Sequence, residues 1–113
     1  MLRIDAAAVE EAAKELYIRA LKLLPPDVKR GFDGLAARES DARAQGVLGV
    51  MIKNIAVAEA TDNLLCQDTG IPIYSVTIGR DVDVDGPALK EAIRQGCERA
   101  TREFSLRSSL QPN

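Results

Sequence analysis

Between Ser40 and Asn63 the chain repeats apolar residues at helical spacing. Ala44, Val47, Leu48, Met51, Ile52, Ile55 and Ala58 make one broad stripe. The pattern predicts a helix over 41–62, capped by Ser40 and ended by the polar Thr61-Asp62-Asn63. A helix this apolar, with Lys53 as its one exposed-looking basic residue, is expected to be wedged between other elements as the core helix. Only Phe32, Phe104, Tyr17 and Tyr74 are aromatic although 46% of the chain is hydrophobic, so the core must be aliphatic and alanine-rich. Cores of that kind form where helices pack closely.

Other helices follow from local signals. Asp5 can cap a first helix over 6–24, with Val9, Ala13, Leu16, Ala20 and Leu24 on its apolar face and Glu10, Glu11, Lys14 and Lys22 around the other. Pro25-Pro26 ends it, and Pro26 is well placed to open a second helix running to Arg38, because its missing donor costs nothing in a first turn. Asp85 caps a last helix starting near Pro87, whose stripe is Leu89, Ile93, Cys97, Ala100 and Phe104. Residues 71–78, Ile-Pro-Ile-Tyr-Ser-Val-Thr-Ile, predict a strand, with Pro72 favouring its start or an edge position. Arg80 to Asp85 is an acidic turn or short strand. One strand does not make a self-sufficient sheet, so partners from a longer chain or another subunit are expected.

Chemistry concentrates in Leu64-Leu65-Cys66-Gln67-Asp68-Thr69-Gly70, at the junction of the long helix and the strand. A thiol, an amide, a carboxylate and a hydroxyl stand in four successive residues there. Cys66 reads either as a small buried hydrophobe beside its leucines or as a soft metal ligand at an edge where ligands bind in mixed α/β layers. Gln67, Asp68 and Thr69 read equally as a simple turn. Cys97, on a helical stripe, reads as core. Arg107 either faces solvent or clamps a carboxylate in bidentate fashion. The alternating Asp81, Asp83 and Asp85 lack the glycine and distant glutamate of a calcium loop and read as a solvated turn.

Composition narrows the classes. In 113 residues, charged residues make up 28% with a formal net charge of −2 and basic and acidic residues interleaved, which leaves no footprint for nucleic acid. No run approaches the ~18 apolar residues of a membrane span, and acids occur too early for a secretory signal. The expected location is cytoplasmic. There is no histidine, which removes the usual general base, and Cys66 and Cys97 form neither a disulfide framework nor a Cys-x-x-Cys pair.

The Cys-Gln-Asp-Thr-Gly run at 66–70, preceded by leucines and followed by a strand ending in glycine, resembles the hallmark of the iron–sulfur hydro-lyases, the class I fumarases and L(+)-tartrate dehydratase alpha subunits. Gly49 to Asn63 resembles that family's helix before its first cluster cysteine. Ala100-Thr101 with Leu106-Arg107-Ser108 resembles its segment leading to a substrate-binding arginine, and Pro112-Asn113 the region that follows. The resemblance covers nearly all of the chain but only the amino-terminal portion of the family's alpha-type region.

The resemblance implies an α+β fold, mostly helical with a small sheet, in which residues 1–113 form an incomplete amino-terminal part of a larger hydro-lyase domain. It implies that Cys66 is the first of three cysteines holding a [4Fe–4S] cluster. It also implies that Gln67 and Asp68 line the substrate pocket and that Arg107 binds a substrate carboxylate. The implied reaction is reversible elimination of water from a 2-hydroxy dicarboxylic acid, malate to fumarate, with L(+)-tartrate as the alternative substrate. Two cluster cysteines and the family's proton-transfer residue are absent, so no catalytic residue is assigned here. The cluster is expected only in the complete enzyme, with a complementary region or beta-type subunit, and the chain alone is expected to be inactive. Homo-oligomerisation through the apolar third helix or a sheet edge is expected too. The other readings are a non-catalytic structural or interaction fragment and a single-cysteine thiol-redox protein with a depressed Cys66 pKa.

Overall fold

The computed structural model describes residues 2–63, 65 and 71–104. Along the chain run β1 (Leu2–Arg3), α1 (Ala6–Lys22), α2 (Pro26–Arg38), α3 (Ala42–Ala60), β2 (Val82–Asp83) and α4 (Gly86–Phe104). The chain is therefore α+β and mostly helical. It divides into two compact units, one of residues 1–19 with 67–113 and the other of residues 20–66.

In the first unit β1 and β2 pair in parallel, Leu2 with Val82 and Arg3 with Asp83. Both helices here start as their local signals dictate. The Asp5 carboxylate accepts from the Ala7 amide at 3.1 Å, and Asp85 accepts from the Ala88 amide at 3.2 Å. Helices α1 and α4 meet almost backbone to backbone at Gly96. A Cβ placed there would lie 2.5 Å from the Glu10 carbonyl oxygen and 2.7 Å from the Ala13 Cβ. Ala13, Ile18, Ala92 and Ala100 are the buried apolar residues of this unit, a small-residue core in keeping with the aliphatic composition.

The buried face of α1 differs from the expected one. Leu16 is 59% exposed and Ala20 is exposed, whereas Lys14, expected on the polar side, is only 8% exposed. The reason is electrostatic as well as steric. The Lys14 stem lies along the apolar contact and its ammonium reaches Glu11 at 3.0 Å and Glu103 of α4 at 3.1 Å. Arg99 adds a second bridge to Glu11 at 3.1 Å.

In the second unit α2 packs along α3. Pro26 occupies the first turn of α2, as its fixed φ and missing donor favour. Helix α3 is capped by Asp41 rather than Ser40. The Asp41 carboxylate accepts from the Ala44 amide at 3.0 Å, while Glu39 accepts from the amides of Ser40 and Asp41. At its other end the Asn63 amide bonds the Ala58 carbonyl at 3.0 Å and the Asp62 amide the Glu59 carbonyl at 3.4 Å. Asp62 sits in the left-handed region with φ 54°, which makes this a Schellman closure built on aspartate.

Two expectations are corrected. First, α3 is not wedged. Within its unit α2 covers one side, toward Leu48, Ile52 and Ile55, while Val47, Val50 (69%), Met51 and Val57 are exposed and only Ala58 is buried. Second, residues 71–78 form no strand among the described residues. Their β-branched side chains carry the propensity, but a ladder also needs a neighbouring strand at hydrogen-bonding distance, and the described residues supply none.

Candidate functional site

The chain reaches the cysteine motif from a firmly tied end of α3. The closure at Asp62 turns the backbone, and the Lys22 ammonium pairs with the Asp62 carboxylate at 3.1 Å. The Thr61 hydroxyl donates to the Val57 carbonyl at 2.7 Å, and the Asn63 side-chain amide donates to the Thr61 hydroxyl at 2.8 Å. Leu65 is then anchored by its amide, which donates to the Leu21 carbonyl in the last turn of α1 at 2.9 Å. A carbonyl that a helix end leaves without an intrahelical partner is thus satisfied by the residue immediately before Cys66. Cys66, Gln67, Asp68 and Arg107 themselves lie outside the described residues, as do Leu64, Thr69 and Gly70.

On the far side of the motif, residue 74 provides the anchor. The Tyr74 hydroxyl donates to the Ala13 carbonyl of α1 at 2.7 Å and accepts from the Cys97 thiol of α4 at 3.4 Å. Burial raises the Tyr74 phenol above its usual range, and the neighbouring Cys97 adds to the effect. Cys97 is half-buried on the α4 stripe and has its thiol engaged in this chain of bonds. Its expected role as a packing residue agrees with this setting. Tyr74 was legible in the sequence only as a strand residue. Nothing local announces that its hydroxyl ties α1 to α4.

The other polar arrangements of the described residues serve the fold. Glu11 is held below the usual carboxylate range by its hydrogen bond with Lys14, and Lys14 is raised by the same bond and by Glu103. The spacing Glu11–Lys14 on one helix and Arg99–Glu103 on another was the available signal for this cluster. Asp81, Asp83 and Asp85 are all exposed, but only Asp81 stands in a turn, whereas Asp83 belongs to β2 and Asp85 caps α4. In the second unit Lys29, Phe32, Asp33, Ile52, Ile55, Ala56 and Glu59 line a hollow of about 250 Å³ in which Lys29 pairs with Glu59. That is below the size usual for a small-molecule pocket.

Among the described residues no three His, Cys, Asp or Glu side chains gather as a metal site would require. The donor chemistry agrees. With Cys97 committed to Tyr74 and no histidine in the chain, Cys66 is the single soft ligand left to offer. The described residues therefore do not complete a [4Fe–4S] site. Likewise, no helix among the described residues is long and apolar enough to cross a membrane.

Comparison with known proteins adds what the geometry does not. The sequence profile of the family described as fumarate hydratase (Fumerase) matches residues 10–112. A Methanocaldococcus jannaschii protein provisionally named L(+)-tartrate dehydratase subunit alpha is 34% identical over 104 residues, covering 90% of this chain and 36% of that protein. A Geobacillus stearothermophilus protein provisionally named fumarate hydratase class I is 30% identical over 98 residues, covering 86% of this chain and 19% of that protein. The chain thus spans about a third of the length of one relative and about a fifth of the other.

Proposed function

The chain belongs to the fumarate hydratase (Fumerase) family, and from that premise we propose that it forms the amino-terminal part of an iron–sulfur hydro-lyase that dehydrates a 2-hydroxy dicarboxylic acid. The observation that carries this reading is the family match across residues 10–112, which spans the Cys66-Gln67-Asp68-Thr69-Gly70 run and Arg107. In this reading Cys66 contributes one thiolate to a [4Fe–4S] cluster whose other ligands come from a complementary region or subunit. Arg107 pairs with one substrate carboxylate through its planar fork, and Gln67 and Asp68 line the pocket beside the cysteine. The proton-transfer group lies outside this sequence.

Malate to fumarate is the leading reaction because the matching profile is that of fumarate hydratase. The L(+)-tartrate reading is favoured by the Methanocaldococcus jannaschii relative. Both substrates present two carboxylates and a hydroxyl to the same arginine and amide, so turnover of malate, fumarate and tartrate by the complete assembly separates them. Anaerobic iron and sulfide analysis tests the reading directly, on the chain alone and co-purified with its complementary region. Near-stoichiometric cluster in the assembly, lost in Cys66→Ser and kept in Cys97→Ala, is expected. An assembly that carries no cluster after anaerobic reconstitution, or keeps it without the Cys66 thiol, overturns the reading in favour of a structural fragment.

A further inference from the structure

Residues 71–78 are chemically a strand and structurally not one. Ile71, Ile73, Val76, Thr77 and Ile78 are β-branched and Tyr74 is aromatic, the residue types that fit a pleated, half-buried surface. Yet among the described residues the only ladder is β1 with β2, two residues each, and no amide of 71–78 takes part in a backbone bond. Ile71, Ile73 (91%), Val76 and Ile78 stand exposed. Tyr74 alone is fixed, through its hydroxyl, to Ala13 and Cys97. Among the described residues the segment is thus held by one side chain, and none of them pairs with either of its backbone edges.

We propose that residues 71–78 are a docking strand. Its partner is a β-strand from the part of the alpha-type region that the relatives possess beyond their match to this chain, on the same polypeptide or another. The occupant follows from extent. The match takes in 90% of this chain but only 36% of the Methanocaldococcus jannaschii protein, so most of that fold's burying surface lies outside these residues. A row of exposed isoleucines beside an unpaired edge is a liability that a complete fold covers. Position supports the same occupant, since the segment directly follows the cysteine motif that the proposed function completes with residues from elsewhere. Pro72 selects the edge. In a strand, successive N–H groups point to alternate edges, and Pro72 removes a donor from the edge of residues 72, 74, 76 and 78. The ladder therefore forms along Ile71, Ile73, Ser75 and Thr77. This inference rests on the family membership and not on the cluster.

Amide hydrogen exchange read by NMR tests it in three samples. They are the 113-residue chain over a concentration series, a chimera in which it replaces the matched segment of the Methanocaldococcus jannaschii protein, and that intact relative. In the chain alone the amides of Ile71, Ile73, Ser75 and Thr77 exchange as open backbone at every concentration. In the chimera and in the corresponding segment of the relative they slow by about 100-fold or more, as ladder amides do. Protection that grows with concentration in the chain alone assigns the edge to a second copy and overturns the proposal. Open exchange in the relative's segment overturns it whether or not the chimera folds. Repeating the chimera measurement with Cys66→Ser separates the two readings, because strand docking survives that change and cluster binding does not.

Discussion

The Leu65 amide donates to the Leu21 carbonyl at 2.9 Å, so the last turn of α1 holds the residue that immediately precedes Cys66. The same stretch is tied by Lys22 to Asp62 at 3.1 Å, within the closure that ends α3. The cysteine motif therefore leaves a backbone fixed at three successive points, the Schellman turn, the ion pair and the Leu65 amide.

Asp62 occupies a left-handed backbone conformation that β-branched residues resist. Asp62→Val is expected to destabilise the chain by about 1–2 kcal/mol from backbone strain, with the Lys22 pair lost as well. Asp62→Gly relieves the strain while losing the same pair, so its urea midpoint should lie well above that of Asp62→Val. Equal midpoints for the two variants would count against a strained Asp62.

Gly96 and Gly46 should respond to alanine with opposite signs. At Gly96 the added methyl meets the Glu10 carbonyl and Ala13, and separating α1 from α4 costs about 1–3 kcal/mol. At Gly46 nothing lies within 4 Å, and alanine gains about 0.5–1 kcal/mol from helix propensity. Chemical unfolding followed by circular dichroism of the two variants checks both signs at once.

Tyr74→Phe removes the donor to the Ala13 carbonyl and the acceptor for the Cys97 thiol, an expected loss of about 0.5–1.5 kcal/mol. The Tyr74 pKa is raised from 10.0 by burial, so its folded form holds the proton longer than its unfolded form. The resulting stability is full below pH ~10 and is lost as pH rises through the folded pKa. Ultraviolet phenolate titration of wild type minus Tyr74→Phe should show an ionisation later than that of a free phenol.

The Lys14 cluster gives the first unit an acid and an alkaline limb. Glu11 is lowered from 4.5, chiefly by its bond with Lys14, so its contribution is present above that pH and fades as pH falls through the folded value. Lys14 is raised from 10.5, so its contribution is present below that pH and fades as pH rises. Glu11→Gln should flatten the acid limb of stability against pH by lowering the neutral plateau toward the acid baseline. An unchanged acid limb would show that Glu11 and Lys14 are not paired in solution.

Helix limits were legible because they depend on neighbours in sequence. Asp5, Pro26 and Asp85 mark the starts of α1, α2 and α4 through bonds or backbone constraints within a few residues. The shift from Ser40 to Asp41 at α3 shows the margin of such signals. Two adjacent residues can both cap, and Glu39 decides between them by taking the amides of Ser40 and Asp41 itself. For the candidate site, the types and spacing of Cys66, Gln67, Asp68 and Arg107 carried the family resemblance, because a motif is a property of residue order.

What only the tertiary structure decided depends on residues far apart in the chain. Lys14 turned inward because Glu103 comes to lie beside it, 3.1 Å from its ammonium. Leu16 turned outward because the close approach of α4 at Gly96 selects the Glu10–Ala13 face of α1. Residues 71–78 kept their strand composition and formed no strand, since propensity belongs to the segment and a ladder belongs to a pair. By itself the sequence determined the helices, the small-residue core and the family. Which faces are buried was decided by packing, because burial is a relation between elements and no single element contains it.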